Sequence, residues 1–131
     1  MFKQIKTSKE NREIVAQLTR KLNLGTENII ARIALTHSLS KDIKMDLNKI
    51  KDSSGKEYSK SVLLGDNEDI YIALICTHYG IYKSDKNISK YIKMHIDDGL
   101  ELIQNELTEN PKLDGFDFLI EKINCGLVEI N

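Results

Sequence analysis

The chain has 131 residues, of which 40% are hydrophobic and 30% are charged, and its formal net charge is −1. This composition is typical of a soluble globular protein, and no apolar run is long enough to cross a membrane. The first residues lack the apolar stretch of a signal peptide, so we expect one cytoplasmic domain over residues 1–131. In that compartment Cys76 and Cys125 are expected to be reduced thiols.

The small net charge conceals a difference between the two halves of the chain. Residues 1–60 contain 13 Lys/Arg and 7 Asp/Glu, whereas residues 61–131 contain 6 Lys/Arg and 13 Asp/Glu. This polarity predicts a basic face for an anionic partner, or a head-to-tail contact between subunits. The alternative is a solvated surface on which the charges mix in three dimensions.

The first part of the chain predicts a short strand and two helices. Residues 2–6 alternate apolar and polar side chains, which is typical of a strand or an arm. A capping-box pattern then begins a first helix, and a glycine followed by a threonine separates it from a second helix at residues 26–38. The second helix is apolar and holds Arg32 at the edge of its buried stripe, where a guanidinium can face a carboxylate or a phosphate.

A lysine-rich segment follows the second helix. A turn signal at residues 52–55 and the alternation after Tyr58 predict a small β-hairpin or a lysine-rich loop. Ammonium groups, hydroxyls and free amides suit phosphate oxygens without reading bases, although a solvated loop has the same composition. The lysines of this segment are Lys41, Lys44, Lys49, Lys51, Lys56 and Lys60.

The second half predicts further helices. A third helix at residues 68–79 is apolar on most sides and is expected to be central, and a fourth, the longest, covers residues 85–108. A short helix at residues 114–123 and an apolar tail at residues 126–130 follow, and the tail is expected to dock, for example on a neighbouring subunit. The predicted fold is mainly α, a compact set of about five helices with a possible short N-terminal strand and a small β-hairpin.

The sequence contains none of the common catalytic or cofactor motifs. It has no Walker loop, no GxGxxG, no GxSxG and no HExxH, and its histidines have no companion at metal-ligand spacing. His95 and Asp98 lie three residues apart on the fourth helix, so their side chains can meet. We interpret His95 as a histidine at the margin of the core oriented by a carboxylate, with a metal or acid–base role as the alternative. No enzymatic activity, cofactor or metal is predicted.

Three ordered segments carry a family resemblance. They read Asn-Ile-Ile-Ala-Arg-Ile-Ala-Leu at residues 28–35, Ser-Val-Leu-Leu-Gly at 61–65, and His-Ile-Asp-Asp-Gly-Leu-Glu-Leu at 95–102. In order and spacing they resemble the DndE family, the small accessory proteins of DNA sulfur modification (phosphorothioation). The resemblance covers the chain to about residue 108 and leaves the segment after Pro111 unassigned.

The resemblance implies a compact helical protein that assembles into a homo-oligomer, with a tetramer expected. It implies a role beside a cysteine desulfurase, an iron–sulfur protein and an ATPase that place sulfur in the DNA backbone. It also implies binding to double-stranded DNA, with a preference for nicked DNA, through surface lysines.

Our first hypothesis is therefore a non-catalytic accessory protein that contacts the DNA backbone. Local charge selects the six lysines of the lysine-rich segment as first contacts, followed by Lys3, Lys6, Lys9 and Arg12. Arg32, His95 and Asp98 match the family motifs, and we interpret them as structural, with Arg32 paired to a carboxylate of the fourth helix.

Two alternatives belong to other functional classes. A strand followed by two helices resembles, in outline, a ribbon–helix–helix transcriptional regulator, in which Lys3, Gln4 and Lys6 would face bases. A protein-only adaptor of the sulfur-modification complex would leave all DNA contacts to its partners. A footprint confined to one operator would favour the regulator, and absence of DNA binding by the purified protein would favour the adaptor.

Overall fold

The structure of the protein is a computed structural model that describes the backbone of residues 2–130 and the side chains of residues 2–127. Five helices of 12 residues or more and one helix of five residues account for most of this part of the chain. The predicted mainly helical fold is confirmed, and no helix in the described part is long and apolar enough to cross a membrane. The elements in chain order are β1 (Gln4–Lys6), α1 (Lys9–Leu22), α2 (Glu27–Ser40), β2 (Glu57–Ser59), α3 (Lys60–Leu64), α4 (Glu68–Tyr79), α5 (Ile88–Glu109) and α6 (Gly115–Ile130).

The core is built around the pairing of α2 with α5. Isoleucine and leucine side chains of both helices, together with Ala31 and Ala34 of α2, are fully buried along this contact. At Gly99 the two backbones nearly touch, since a Cβ atom on this residue would lie 1.9 Å from the carbonyl oxygen of Ala34. The glycine within the third motif therefore permits the close approach of the two central helices.

The two short strands form an antiparallel pair. Ile5 lies opposite Tyr58 in the register, and both side chains are buried on the same side of the sheet. Of the two structures expected for the lysine-rich segment, a local hairpin and a loop, the loop is the one observed, because the partner of β2 is the N-terminal strand. The alternation expected after Tyr58 also ends early, since the hydroxyl of Ser59 accepts a hydrogen bond from the amide of Val62 and caps α3.

Two helices differ from their predicted roles. The expectation that α4 is central is wrong, because Ile70 and Leu74 on its outer face are 59% and 44% exposed. A helix that is apolar on every side gives no indication of which side is buried. The predicted short helix and apolar tail form one continuous helix, α6, whose Phe118 is buried against the core. The side chains of residues 128–130, which belong to the expected docking tail, lie outside the described residues.

Candidate nucleic-acid interface

A cleft of about 410 Å³ lies between β1, the loop at residues 50–53 and the first turns of α5. Four of its nine lining residues are lysines, and none is an aspartate or a glutamate. We call this feature the basic cleft. It is lined by Gln4, Ile5, Lys6, Ile50, Lys51, Ser53, Ser89, Lys90 and Lys93.

The four lysines of the basic cleft differ in how far their charges are already neutralised. Lys6 and Lys90 are exposed, and neither forms an ion pair with a carboxylate of residues 2–127. Lys51 pairs with Glu101 and lies 3.7 Å from a carboxylate oxygen of Glu10. Burial alone would lower the pKa of Lys51, but the hydrogen bond and charge of Glu101 outweigh it and the pKa is raised. Lys6 and Lys90 therefore offer the ammonium groups most available to a ligand.

Lys93 is fixed in place by a buried ion pair. Its Nζ atom lies 2.7 Å from Oδ2 of Asp97, and both side chains are almost fully buried. The other oxygen of Asp97 accepts hydrogen bonds from the backbone N–H of Ser8 at 3.1 Å and from the side-chain amide of Asn11 at 2.7 Å. Because three groups hold this carboxylate near the start of α1, the ammonium group of Lys93 has a defined position at the edge of the cleft.

The sequence reasoning did not select Lys90 and Lys93. Both lie in the acidic half of the chain, close to Asp97, Asp98 and Glu101, and a run of carboxylates on a helix is typical of a solvated face. Asp97 is instead 3% exposed. The spacing of Lys93 and Asp97, four residues apart on one helix, was the available signal, because residues at that spacing can form an ion pair.

The structure brings two of the ten predicted DNA-binding residues, Lys6 and Lys51, into the basic cleft. Lys44 and Lys49 line a second pocket, of about 290 Å³, which also contains Lys51. That second pocket is of mixed charge, because four carboxylates line it as well: Asp46, Asp97, Asp98 and Glu101. An anion therefore meets repulsion there that it does not meet in the basic cleft.

The remaining predicted contacts lie elsewhere. Lys56 and Lys60 form ion pairs with Glu27 at 3.4 Å and Glu68 at 3.1 Å, so part of their charge is neutralised. The guanidinium of Arg12 donates a hydrogen bond to a backbone carbonyl at 3.0 Å. Three further lysines are exposed and line neither pocket: Lys3, Lys9 and Lys41.

Arg32 has a different partner from the one expected. Its Nε atom donates to the carbonyl oxygen of Leu63 at 2.7 Å, and its Nη2 atom donates to that of Val62 at 3.1 Å. These carbonyl oxygens belong to the last residues of α3, and so short a helix provides no backbone N–H donor for them. The guanidinium thus satisfies the end of α3 instead of pairing with a carboxylate of α5.

His95 lies in the core and not at its margin, since its side chain is fully buried. Its Nδ1 atom lies 2.8 Å from the hydroxyl oxygen of Ser38, which donates its proton to Asp98 at 2.7 Å. His95 must therefore donate from Nδ1, and its Nε2 atom accepts from the hydroxyl of Tyr79 at 2.6 Å. Asp98 orients the imidazole through Ser38 and does not contact it directly.

This chain of hydrogen bonds also reaches the lysine-rich segment. The hydroxyl of Tyr79 accepts a hydrogen bond from the backbone N–H of Met45 at 2.9 Å. Burial, followed by the neighbouring His78, lowers the pKa of His95 to about 4, so the imidazole is neutral at pH 7. Within the described residues no group of three or more His, Cys, Asp or Glu side chains is arranged to hold a metal ion.

Comparison with known proteins gives a consistent family signal. The family model "DNA sulphur modification protein DndE" matches residues 4–110. A crystal structure of DndE from Escherichia coli B7A, involved in DNA phosphorothioation modification, superposes with a TM-score of 0.64 at 19% identity, covering 79% of this chain and 98% of that chain. A DndE mutant with glycines replaced by lysine gives a TM-score of 0.66 at 20% identity, with coverage of 78% and 97%. No curated protein sequence matches the chain.

Proposed function

We propose that this chain, which belongs to the DndE family of DNA sulphur modification proteins, is a non-catalytic accessory protein. In this proposal it binds the backbone of double-stranded or nicked DNA. The resemblance described above further suggests a homo-oligomer, with a tetramer as the expected state, that works beside the ATPase and the iron–sulfur protein of the system.

The basic cleft is the observation that carries the proposal. It combines four lysines with two serine hydroxyls and one amide side chain, and no carboxylate lines it. Lysine ammonium groups attract phosphates as point charges and lack the planar donor pattern with which arginine reads bases. The arrangement therefore favours recognition of the DNA backbone over recognition of a base sequence.

The regulator alternative has less support. In a ribbon–helix–helix protein the N-terminal strands of two subunits pair with each other and enter the major groove. Here β1 is paired with β2 of the same chain, which already occupies one of its edges.

The first test is the salt dependence of DNA binding. Fluorescence anisotropy of a labelled duplex, measured from 50 to 200 mM salt, gives the slope of log affinity against log salt concentration. Each neutralised phosphate contributes about −0.9 to this slope, so Lys6 and Lys90 alone predict a slope of about −2 or steeper. A flat response would contradict binding through phosphates.

The second test compares two double variants of equal net charge. Lys6→Gln with Lys90→Gln removes the two unpaired ammonium groups of the basic cleft, and Lys83→Gln with Lys112→Gln removes two exposed lysines outside it. Glutamine is preferred to glutamate because Lys6 lies opposite Glu57 in the sheet, where like charges would destabilise the pair. We expect the first variant to lose at least about tenfold in affinity and about 2 units of salt slope, and the control to change little.

A further inference from the structure

The basic cleft holds two lysines, Lys6 and Lys90, that form no ion pair with residues 2–127, beside two lysines that carboxylates partly neutralise. We propose that it binds a phosphate monoester, and that its source is the terminal phosphate of a DNA strand. This inference rests on the proposed function, because it names the part of the DNA that the same site recognises.

The number of charges supports a monoester. A phosphodiester within a strand carries one negative charge and two free oxygens, whereas a monoester carries nearly two charges at pH 7 and three acceptor oxygens. Lys6 and Lys90 bring two unpaired ammonium groups to the cleft, and the partly neutralised Lys51 and Lys93 add two more donors at its edge. A dianion therefore matches the available charge better than a monoanion.

The walls of the basic cleft supply the rest of a phosphate site. Ser53, from the loop, and Ser89, from the first turn of α5, both line the cleft. At the start of this 22-residue helix the carboxylate of Asp85 accepts a hydrogen bond from the backbone N–H of Asn87 at 2.8 Å, so the positive end of the helix is already partly neutralised and the cleft relies on its side chains. The hydroxyl donors of the two serines favour a phosphate oxygen at this place.

The shape of the site favours a strand end over a continuous strand. Three separate elements border the cleft, which is open to solvent on its outer side. A terminal phosphate projects from its strand on a single ester bond, whereas a phosphodiester is held on both sides by sugars. The projecting group can enter a concave site without bending the duplex.

A comparison with another pocket shows what the basic cleft lacks. A pocket of about 540 Å³ at the start of α2 also has hydroxyls and one lysine, Lys56. It is lined by Glu27 and Glu57 as well, so its carboxylates outnumber its lysine. A dianion would be repelled there, and we assign the phosphate to the basic cleft alone among these pockets.

The test uses the full chain and two nicked duplexes of one sequence that differ only in a 5′-phosphate or a 5′-hydroxyl at the nick. Affinities are measured by anisotropy competition at one constant ionic strength. We expect the phosphorylated nick to bind at least about tenfold more tightly, the size of effect that charge-assisted hydrogen bonds to an ionised group produce. In Lys90→Gln this ratio should fall towards one, whereas Lys112→Gln, which changes the net charge equally, should keep it.

A titration with inorganic phosphate identifies the place of binding. In two-dimensional ¹⁵N NMR spectra at constant ionic strength, we expect the amide signals of Ser89 and Lys90 to shift with phosphate and not with chloride. Tight, salt-dependent binding of both duplexes with equal affinities would overturn the strand-end inference while leaving the proposed function intact. If inorganic phosphate binds but the two nicked duplexes bind with equal affinity, the strand end is likewise overturned as the source of the phosphate. Absence of binding to either duplex would instead contradict the proposed function.

Discussion

His95 links the stability of the folded protein to pH. Its side chain is fully buried, and all of its hydrogen bonds suit the neutral imidazole with the proton on Nδ1. Burial lowers the pKa of His95 to about 4, below the ordinary value of 6.5. Because the unfolded chain takes up this proton first, the contribution of His95 is fully present above pH 6.5 and is lost as the pH falls towards 4.

This linkage predicts a loss of about 2 kcal/mol in the free energy of unfolding between pH 7 and pH 5, from His95 alone. Urea denaturation of the wild type and of His95→Gln at both pH values isolates the part of this loss that comes from His95. Glutamine retains a hydrogen-bond donor and an acceptor in place of the imidazole. The other two histidines are present in both proteins, so their titration cancels in the comparison. The variant should therefore be less stable at pH 7 but lose about 2 kcal/mol less on acidification. Equal losses in the two proteins would show that His95 does not titrate in this way.

Single residues also show where sequence reasoning has limits. The motif containing His95 and Asp98 was correctly placed on the longest helix, but the intervening Ser38 comes from α2, which is 57 residues away from His95 in the chain. The partners of Arg32 are backbone carbonyls, which no side-chain pattern reveals. Contacts of these two kinds depend on the packing of distant elements.

At the level of secondary-structure elements, the two glycines inside helices have opposite surroundings. A Cβ atom on Gly99 of α5 would collide with the carbonyl of Ala34, whereas one on Gly126 of α6 would meet nothing within 4 Å. Gly99→Ala should therefore force α2 and α5 apart and lower the free energy of unfolding by about 1–3 kcal/mol or more. Gly126→Ala should raise it by up to about 1 kcal/mol, because alanine has the higher helix propensity. Thermal and urea denaturation measure the stability of both variants. If both substitutions changed the free energy of unfolding by a similar amount with the same sign, the close packing of α2 against α5 at Gly99 would be contradicted.

Element prediction succeeded where the hydrophobic period was clear. The bounds of α4 at residues 68–79 and the long α5 follow from apolar spacing and from the flanking Gly80 and Pro111. The orientation of α4 did not follow, because its apolar residues surround the helix. The pairing of β1 with β2 did not follow either, since each strand has only three residues and about fifty residues separate them.

At the scale of the whole molecule, the basic and acidic halves of the sequence do not remain separate. Lys51 and Lys60 of the first half pair with Glu101 and Glu68 of the second. The second half in turn contributes Lys90 and Lys93 to the basic cleft. Folding thus pairs three of the predicted DNA-binding lysines, Lys51, Lys56 and Lys60, with carboxylates, and it gathers four lysines from both halves of the chain in the basic cleft, which a count along the sequence could not locate.

The basic cleft and α6 form separate parts of the molecule. Every residue that lines the cleft falls within residues 4–110, the range of the family match, whereas α6 begins after it. The helix α6 is joined to the core by Phe118, 1% exposed, and by Lys122, whose Nζ atom lies 2.7 Å from Glu106. Stability and DNA binding should therefore respond to different residues.

Phe118→Ala should lower the free energy of unfolding by about 3–5 kcal/mol, because it removes a fully buried aromatic ring. Below its unfolding temperature the variant should keep the DNA affinity of the wild type, since the basic cleft is unchanged. Lys90→Gln should show the reverse, a weaker affinity with little change in stability, because its side chain is exposed and forms no ion pair with residues 2–127. Urea denaturation measures the stability of each variant, and fluorescence anisotropy measures its DNA affinity. A loss of DNA affinity in folded Phe118→Ala would mean that α6 takes part in binding, and would extend the interface beyond the basic cleft.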